Sequence, residues 1–518
     1  MRGGNGTVDV RRPAVARARV EDADERLLAS LLNVALALTA AVALLSVLVL
    51  AAAHLHDRYN VNHAAGSWLA LAREAHDGTI FPLFEHGIYG GTRFMPLPIL
   101  AHAGLSELTG EYLVSGKLAA LLGAAVLLAL AYLVLRRLGC SRILSAGFVG
   151  VLAVTPAGLL AITGLRGDAL SAAIQLGAVA LVLRTVSRRA VLAAGVLCGV
   201  ALFAKLSAVW ALIAIAAWLA LNHRHRLAEF AAAFGGSVAV LFLAFELASD
   251  GRMLRSLESF GFAGGSSGTA FSGVSTFFQL LTSRAEAIWL LFPLALVACA
   301  LGLARRRPTL LQLAFLVEIP ILFVVLRDIG ADYNHLIDLA VLTVLVVGEL
   351  GATMSKRAGD ATLVAALIPI LVILGTLESL RTEVKPEARQ TVKELVGNHP
   401  DAYPRYPLAA YVGRGDTMLS EDPTIPLLLG QHPVVDDPFM LQRMQSSHSE
   451  WVAQLRTRIQ RRAFDKLVLV RPLSDKAWFA RSDFGTELAD AMRRSYRLQA
   501  AVAGSPESYW VYVPRRVA

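Results

Sequence analysis

Three scattered groups of residues carry side chains suited to chemistry on a charged substrate. Arg166, Gly167 and Asp168 stand together in AITGLRGDALSAAIQ, where one apolar run ends and the next begins. The glycine between them lets guanidinium and carboxylate turn toward one place. Asp168 also suits a helix N-terminus, through the dipole and the free N–H groups, so a capping role stands beside the functional one. The second group lies in the polar stretch 54–111. There Asp57, Asn62 and His63 precede the helical pattern GSWLALAREAHDG, and Arg93 follows two glycines in GGTRFMPL. A desolvated Asp or His serves as a general base. Arg93 suits an anion approached by backbone, or else snorkels to lipid headgroups. The third group is Arg327, Asp328, Asp332, Tyr333, Asn334 and His335, just before a late apolar run. A solvated loop is its plain alternative. Lys205 stands alone between two short apolar runs and is a further anion contact or a snorkelling lysine.

Cations at such positions suit a phosphate lying at a membrane surface. A carboxylate nearby suits proton abstraction from an attacking hydroxyl. Together they are what a transferase with a lipid-phosphate-linked donor needs. His54, His56, Asp57 and His63 raise the question of a metal, but their spacing matches no common ligand pattern, so no metal cofactor is expected. Cys140, Cys198 and Cys299 are far apart, which argues against a disulfide framework.

These residues need elements to hold them. The chain has 518 residues, 55% hydrophobic and 17% charged, with a mean hydropathy of +0.55, which is a membrane protein's balance. Apolar runs at 27–53, 112–135, 143–164, 168–186, 189–204, 206–221, 227–248, 286–304, 309–326, 335–353 and 361–379 predict about eleven transmembrane helices. The net charge of +9 invites nucleic acid as a partner. The Lys and Arg residues instead cluster between spans, as orientation in a membrane requires. With a cytoplasmic basic tail at 1–26, every later basic cluster falls inside. The connections 54–111, 165–167, 205, 249–285 and 327–334 then fall outside, with everything from 380 onward. Residues 94–109 are short and contain two prolines, so they are expected as a re-entrant or interfacial helix. The N-terminal segment lacks a cleavage pattern, so the first span is expected to stay in place.

The expected fold is therefore an α-helical polytopic membrane domain over 27–379 with a large outer loop, followed by a small extracytoplasmic α/β domain over 380–518. In the latter, strands are predicted at 416–420, 467–471 and 509–513, and helices at 387–396, 449–463 and 484–494.

The pattern resembles the GT-C superfamily of integral-membrane glycosyltransferases, and within it the bacterial protein O-mannosyltransferase and aminoarabinose transferase relatives. The resemblance rests on Asn62-His63, Ala72-Arg73 and Gly78 in the first loop, then Pro96-Leu97-Pro98, Arg166-Gly167-Asp168, the Lys205 hairpin and Tyr333-Asn334-His335, in that order. It implies a polyprenyl-phosphate sugar donor, an inverting single displacement, and a lipid, glycan or protein acceptor whose hydroxyl a carboxylate deprotonates. It also implies a multi-pass protein of the bacterial plasma membrane. This chain departs from the family where an acidic residue is usual in the loop, since Asn62 and His63 stand there. The base is then Asp168, Asp57 or His63, in that order of preference, with Asn62, Arg93, Arg166, Lys205, Tyr333, Asn334 and His335 as donor contacts. A secondary transporter would need an internal repeat and polar breaks at mid-membrane. No repeat is legible, and the polar residues singled out sit at the outer ends of the runs rather than mid-span, with Glu246 and Glu318 as exceptions near or within apolar runs. A non-catalytic envelope protein is the third class. A cavity joining Asp168 to the first loop separates these readings.

Overall fold

A computed structural model describes residues 12–55, 63–82, 92–261, 269–328, 330–354, 362–397, 407–445, 449–503 and 508–516. Each of the eleven apolar runs is helical in it. Among the described residues, five helices are long and apolar enough to cross a membrane, namely Leu27–Leu55, Tyr112–Leu138, Arg224–Ala248, Ala287–Ala304 and Tyr333–Met354. A sixth span arises if Arg142–Val154 and Pro156–Thr163 are taken together; they meet at a 76° bend. The bend follows from sequence, because Pro156 has no N–H to continue the first helix. Thr155 is extended there, and its hydroxyl accepts from the Gly158 N–H to start the second. The helices Asp168–Arg184 and Arg188–Ala204 have 17 residues each, below the ~20 that a full crossing takes. The chain is a multi-pass membrane protein.

The bundle is built on small-residue contacts, as packing within lipid requires. Leu36, Ala40, Ala43, Val47 and Leu50 form the buried stripe of the first helix, and Gly150 brings its backbone against Ala40. On the Arg188–Ala204 helix, Gly195 and Gly199 lie against the Phe230–Ser237 stretch of Arg224–Ala248. That outer helix buries only Phe230, among its described residues. Phe234, Val238, Leu241 and Phe245 pack inward while partly exposed, and Val240, Leu243 and Leu247 face outward, as lipid-facing residues do. At the centre lies Leu336–Met354, buried almost throughout. Residues 94–109 do not form a span; the helix is Pro96–Thr109, started by its prolines and closed by Gly110 in the left-handed conformation.

The C-terminal part holds a four-stranded sheet of β1 (Met418–Ser420), β2 (Lys466–Leu469), β3 (Tyr496–Val502) and β4 (Tyr509–Pro514), in the order β1-β2-β4-β3. β1 and β2 run parallel; β4 is antiparallel to both its neighbours. Alternation sends Leu419, Leu467, Leu469 and Tyr512 to one face and Met418, Val468 and Val511 to the other. The helices Ser449–Gln460 and Gly485–Ser495 cover the first face. The predicted helix at 387–396 is Lys385–Gly397. β3 is a strand that the sequence reading does not include.

The first loop forms the helix His63–His76, which leans on this domain. Gly66 sits where a side chain would meet Asp422, Pro423 and Thr424, and Glu74 Oε1 lies 3.2 Å from His432 Nδ1.

Candidate functional site

Gly164 and Gly167 carry the chain out of one helix and into the next. Gly167 caps the Asp168–Arg184 helix, and a Cβ there would strike Pro98 at 2.5 Å. Only glycine lets the loop helix Pro96–Thr109 come this close to the Arg166–Asp168 turn. Asp168 then faces sideways. Its Oδ1 accepts from Lys205 Nζ at 2.6 Å and its Oδ2 from Asn334 Nδ2 at 3.0 Å. The two members of the ion pair are 13% and 17% exposed. Lys205 ends the Arg188–Ala204 helix, where a cation also complements the dipole.

These groups border a cavity of about 1330 Å³. Arg93, Arg166, Asp168, Lys205, Arg327, Asn334 and His335 line it, with Ser67 and Trp68 from the loop helix. Four cations thus converge from four different connections. Ile213, Val317, Pro320, Ile321 and Val324 form an apolar wall where the helices Trp210–Asn222 and Leu310–Val325 meet. The far wall comes from the C-terminal domain, through Asp437, Phe439, Trp478 and Asp483. Arg93 spans the two parts. Its guanidinium lies 4.5 Å from the Phe439 ring centre and 5.4 Å from that of Phe94, and its Nε is 4.0 Å from Asp437 Oδ2.

The cavity therefore brings together most of the residues singled out in the sequence: Arg93, Arg166, Asp168, Lys205, Arg327, Asp328, Asp332, Asn334 and His335, with Asn334 hydrogen-bonded to Asp168. Tyr333 stands aside, its ring beneath Arg284 at 5.6 Å. Asp57 and Asn62 lie outside the described residues, as does the His63 side chain. Among the described residues no group of three His, Cys, Asp or Glu side chains is arranged to hold a metal ion. The C-terminal wall is what sequence reasoning misses. Its residues are more than two hundred positions from Asp168, and no local pattern marks them. Beside that wall, Asp436 is fully buried. Burial, then the nearby Glu74 and Asp437 charges, push its carboxyl well above the usual range.

No protein-family model matches the sequence, and a search of curated proteins finds no match. Solved structures are informative. ArnT from Cupriavidus metallidurans bound to undecaprenyl phosphate is similar with a TM-score of 0.56 at 15% identity, over 92% of this chain and 97% of that one. Its apo state gives the same values. An oligosaccharyltransferase from Archaeoglobus fulgidus in the apo form reaches a TM-score of 0.49 at 11% identity, over 92% of this chain and 74% of that one. Likeness at such identity speaks for architecture: this chain has the fold of ArnT.

Proposed function

We propose that the protein is an inverting membrane glycosyltransferase that moves a sugar from a polyprenyl-phosphate-linked donor to an acceptor hydroxyl outside the bacterial plasma membrane. The observation that carries this is the cavity itself. It sets Arg93, Arg166, Lys205 and Arg327 around the same space as Asp168 and continues along an apolar wall. A phosphate suits the cationic end, and a prenyl chain suits the wall. The ArnT structure, which holds undecaprenyl phosphate on the same fold, supports the reading.

In the proposed reaction the acceptor oxygen attacks the anomeric carbon as its bond to the phosphate oxygen breaks. The hydroxyl proton passes to the base, and the phosphate leaves with the bonding electrons, which Lys205 and Arg166 stabilise. Asp168 is the first candidate for the base, ahead of Asp57 and His63. Both its oxygens accept hydrogen bonds from Lys205 and Asn334. An incoming phosphate competes for the Lys205 ammonium, and its withdrawal restores the basicity of Asp168.

The test uses membranes containing the protein and radiolabelled polyprenyl-phosphate sugars, comparing the natural chain with Asp168→Asn and Asp57→Asn. Loss of a general base lowers the rate by about 10²–10⁴-fold. A natural chain that neither transfers nor hydrolyses any such donor ends the enzyme reading; full activity in both variants ends this choice of site.

A further inference from the structure

The carboxylate plane of Asp168 is fixed at two points. Lys205 Nζ donates to its Oδ1 at 2.6 Å, and Asn334 Nδ2 donates to its Oδ2 at 3.0 Å. A single donor leaves a carboxylate free to turn about its terminal bond, which is a broad torsion. Two donors, one on each oxygen, remove that turn. They occupy only part of the group's capacity, since an ionised carboxyl accepts at about four lone-pair sites. The rest is left for a hydroxyl in the cavity that Asp168 and Asn334 both line.

The two donors differ in charge and in footing. Lys205 is a cation on a long flexible stem, and it lines the end of the cavity proposed to hold the phosphate. Asn334 is neutral, short and only 8% exposed. It stands in the turn Tyr333–His335, which Asp332 starts by accepting from the Tyr333 N–H at 2.7 Å. The turn leads straight into Leu336–Met354, the helix buried almost throughout. The amide must present its nitrogen to Asp168, because its oxygen there would face a carboxylate. A neutral donor orients an anion without the full charge of an ammonium, and so takes less from its basicity.

We propose that Asn334 is a positioning residue for Asp168 and not a contact to the donor: it keeps the carboxylate aimed at the acceptor hydroxyl while Lys205 turns to the phosphate. The inference rests on the reading of Asp168 as the base. Asn334 takes no proton and forms no bond to the substrate; its whole effect passes through Asp168. Two consequences separate this role from a donor contact. Loss of Asn334 slows the chemical step without weakening donor binding. Once Asp168 is already disabled, loss of Asn334 has nothing further to remove, so the two substitutions do not add.

The experiment follows single turnovers of a radiolabelled polyprenyl-phosphate sugar by an excess of the full chain in membranes. It compares the natural chain, Asn334→Ala, Asp168→Asn and the double variant. Asn334→Ala is expected to lower the saturating rate by about tenfold or more, as loss of a hydrogen bond to a charged group does. Its half-saturation is expected to change less than about twofold. In the Asp168→Asn background the same substitution is expected to change the remaining rate less than about twofold. Unchanged binding of a farnesyl methyl phosphodiester in detergent shows that Asn334→Ala folds with its cavity intact. Asn334→Asp, of the same shape, carries the test if Asn334→Ala does not fold. It sets two carboxylates against each other in the natural background and re-forms the bond in reverse beside Asp168→Asn, so its loss of rate is expected in the first background only. Weaker donor binding with the saturating rate kept makes Asn334 a donor contact and overturns the inference. An equal loss of rate in both backgrounds also overturns it. Full activity in Asn334→Ala with activity lost in Asp168→Asn overturns this inference alone. Full activity in Asp168→Asn overturns the reading of the base and this inference with it.

Discussion

Lys205 Nζ lies 2.6 Å from Asp168 Oδ1, a contact that joins the end of one helix to the start of another across 37 positions of sequence. Both groups are mostly buried, so neither tolerates losing its partner. Lys205→Met is expected to lower stability by about 3 kcal/mol, because it strands a buried carboxylate. Asp168→Asn keeps a neutral acceptor for Lys205 and Asn334, and is expected to be milder. The double variant recovers most of the stability of Lys205→Met without recovering transfer activity. Thermal melts of the purified chain, paired with the donor assay, check this. A double variant no more stable than Lys205→Met alone refutes the pairing as the cause.

Gly330 lies beside Arg93 where a Cβ would meet its guanidinium at 2.7 Å and the Phe439 ring at 2.9 Å. Gly330→Ala is therefore expected to displace Arg93 from its place over Phe439. Since Arg93 lines the end of the cavity proposed to hold the phosphate, donor affinity should fall several-fold, with the melting temperature changed little. Phe439→Ala, which removes the aromatic face, should act in the same direction. The readout is the dissociation constant for a prenyl phosphodiester. Unchanged binding in both variants removes Arg93 from the phosphate site.

Asp436 sits between the first loop and the C-terminal domain, buried, with its carboxyl well above the ordinary range through burial and the Glu74 and Asp437 charges. The folded state then holds a proton that the unfolded state releases above about pH 3.9. The stability this group gives is fully present below that pH and is lost as pH rises through the folded value. Asp436→Asn is expected to melt higher than the natural chain at pH 7 and no higher at pH 4. Equal melting temperatures at pH 7 would show that the buried carboxyl carries no penalty.

His102 works in the opposite sense. Burial lowers its pKa to about 4, against the Tyr112 carbonyl to which its Nε2 is bonded. The ring is neutral in the fold while the unfolded chain takes up a proton below about pH 6.5. Stability from this group is complete above that value and falls as pH drops toward 4, by about 3 kcal/mol in all. His102→Gln keeps a donor for Tyr112 and does not titrate. Its melting temperature should vary less between pH 6.5 and 4 than that of the natural chain.

The helices were legible because an apolar run in lipid has few alternatives to a helix; most run boundaries fall within a few residues of the helix ends, while the helix of the first run, 27–53, already begins at Arg12. The gathering of Arg166, Asp168 and Lys205 was legible for a related reason. Each stands at a break between runs, and alternation of the runs assigns those breaks to one side. The strand β3 was not legible, because Arg497, Leu498 and Gln499 are all exposed on this edge strand and give no alternating pattern. A bulge between Leu498 and Ala500 breaks what period remains. Nor could the sequence reveal that Phe439 and Asp483 line the same cavity as Asp168. That depends on how a whole domain docks, through contacts such as Gly66 on Asp422 whose partners have no fixed spacing.

That docking contact gives a direct test. A Cβ on Gly66 would lie 2.7 Å from Asp422 Oδ1, 2.8 Å from Thr424 Oγ1 and 2.9 Å from the Pro423 ring. None of these can yield easily: Asp422 accepts from the Thr424 N–H and the Tyr509 hydroxyl, and all three residues are buried. Gly66→Ala therefore pushes the loop helix His63–His76 away from the C-terminal domain. The loop helix supplies Ser67 and Trp68 to the cavity, and the domain supplies Phe439 and Trp478, so separation opens the cavity between them. Overpacking of this kind costs about 1–3 kcal/mol. It should fall on the interface and leave the interior of the bundle intact. Limited proteolysis is expected to release the C-terminal domain faster from Gly66→Ala, with transfer activity reduced and the melting of the helical bundle unchanged. A variant cleaved at the natural rate with full activity would mean that the domain does not need this contact to close the cavity.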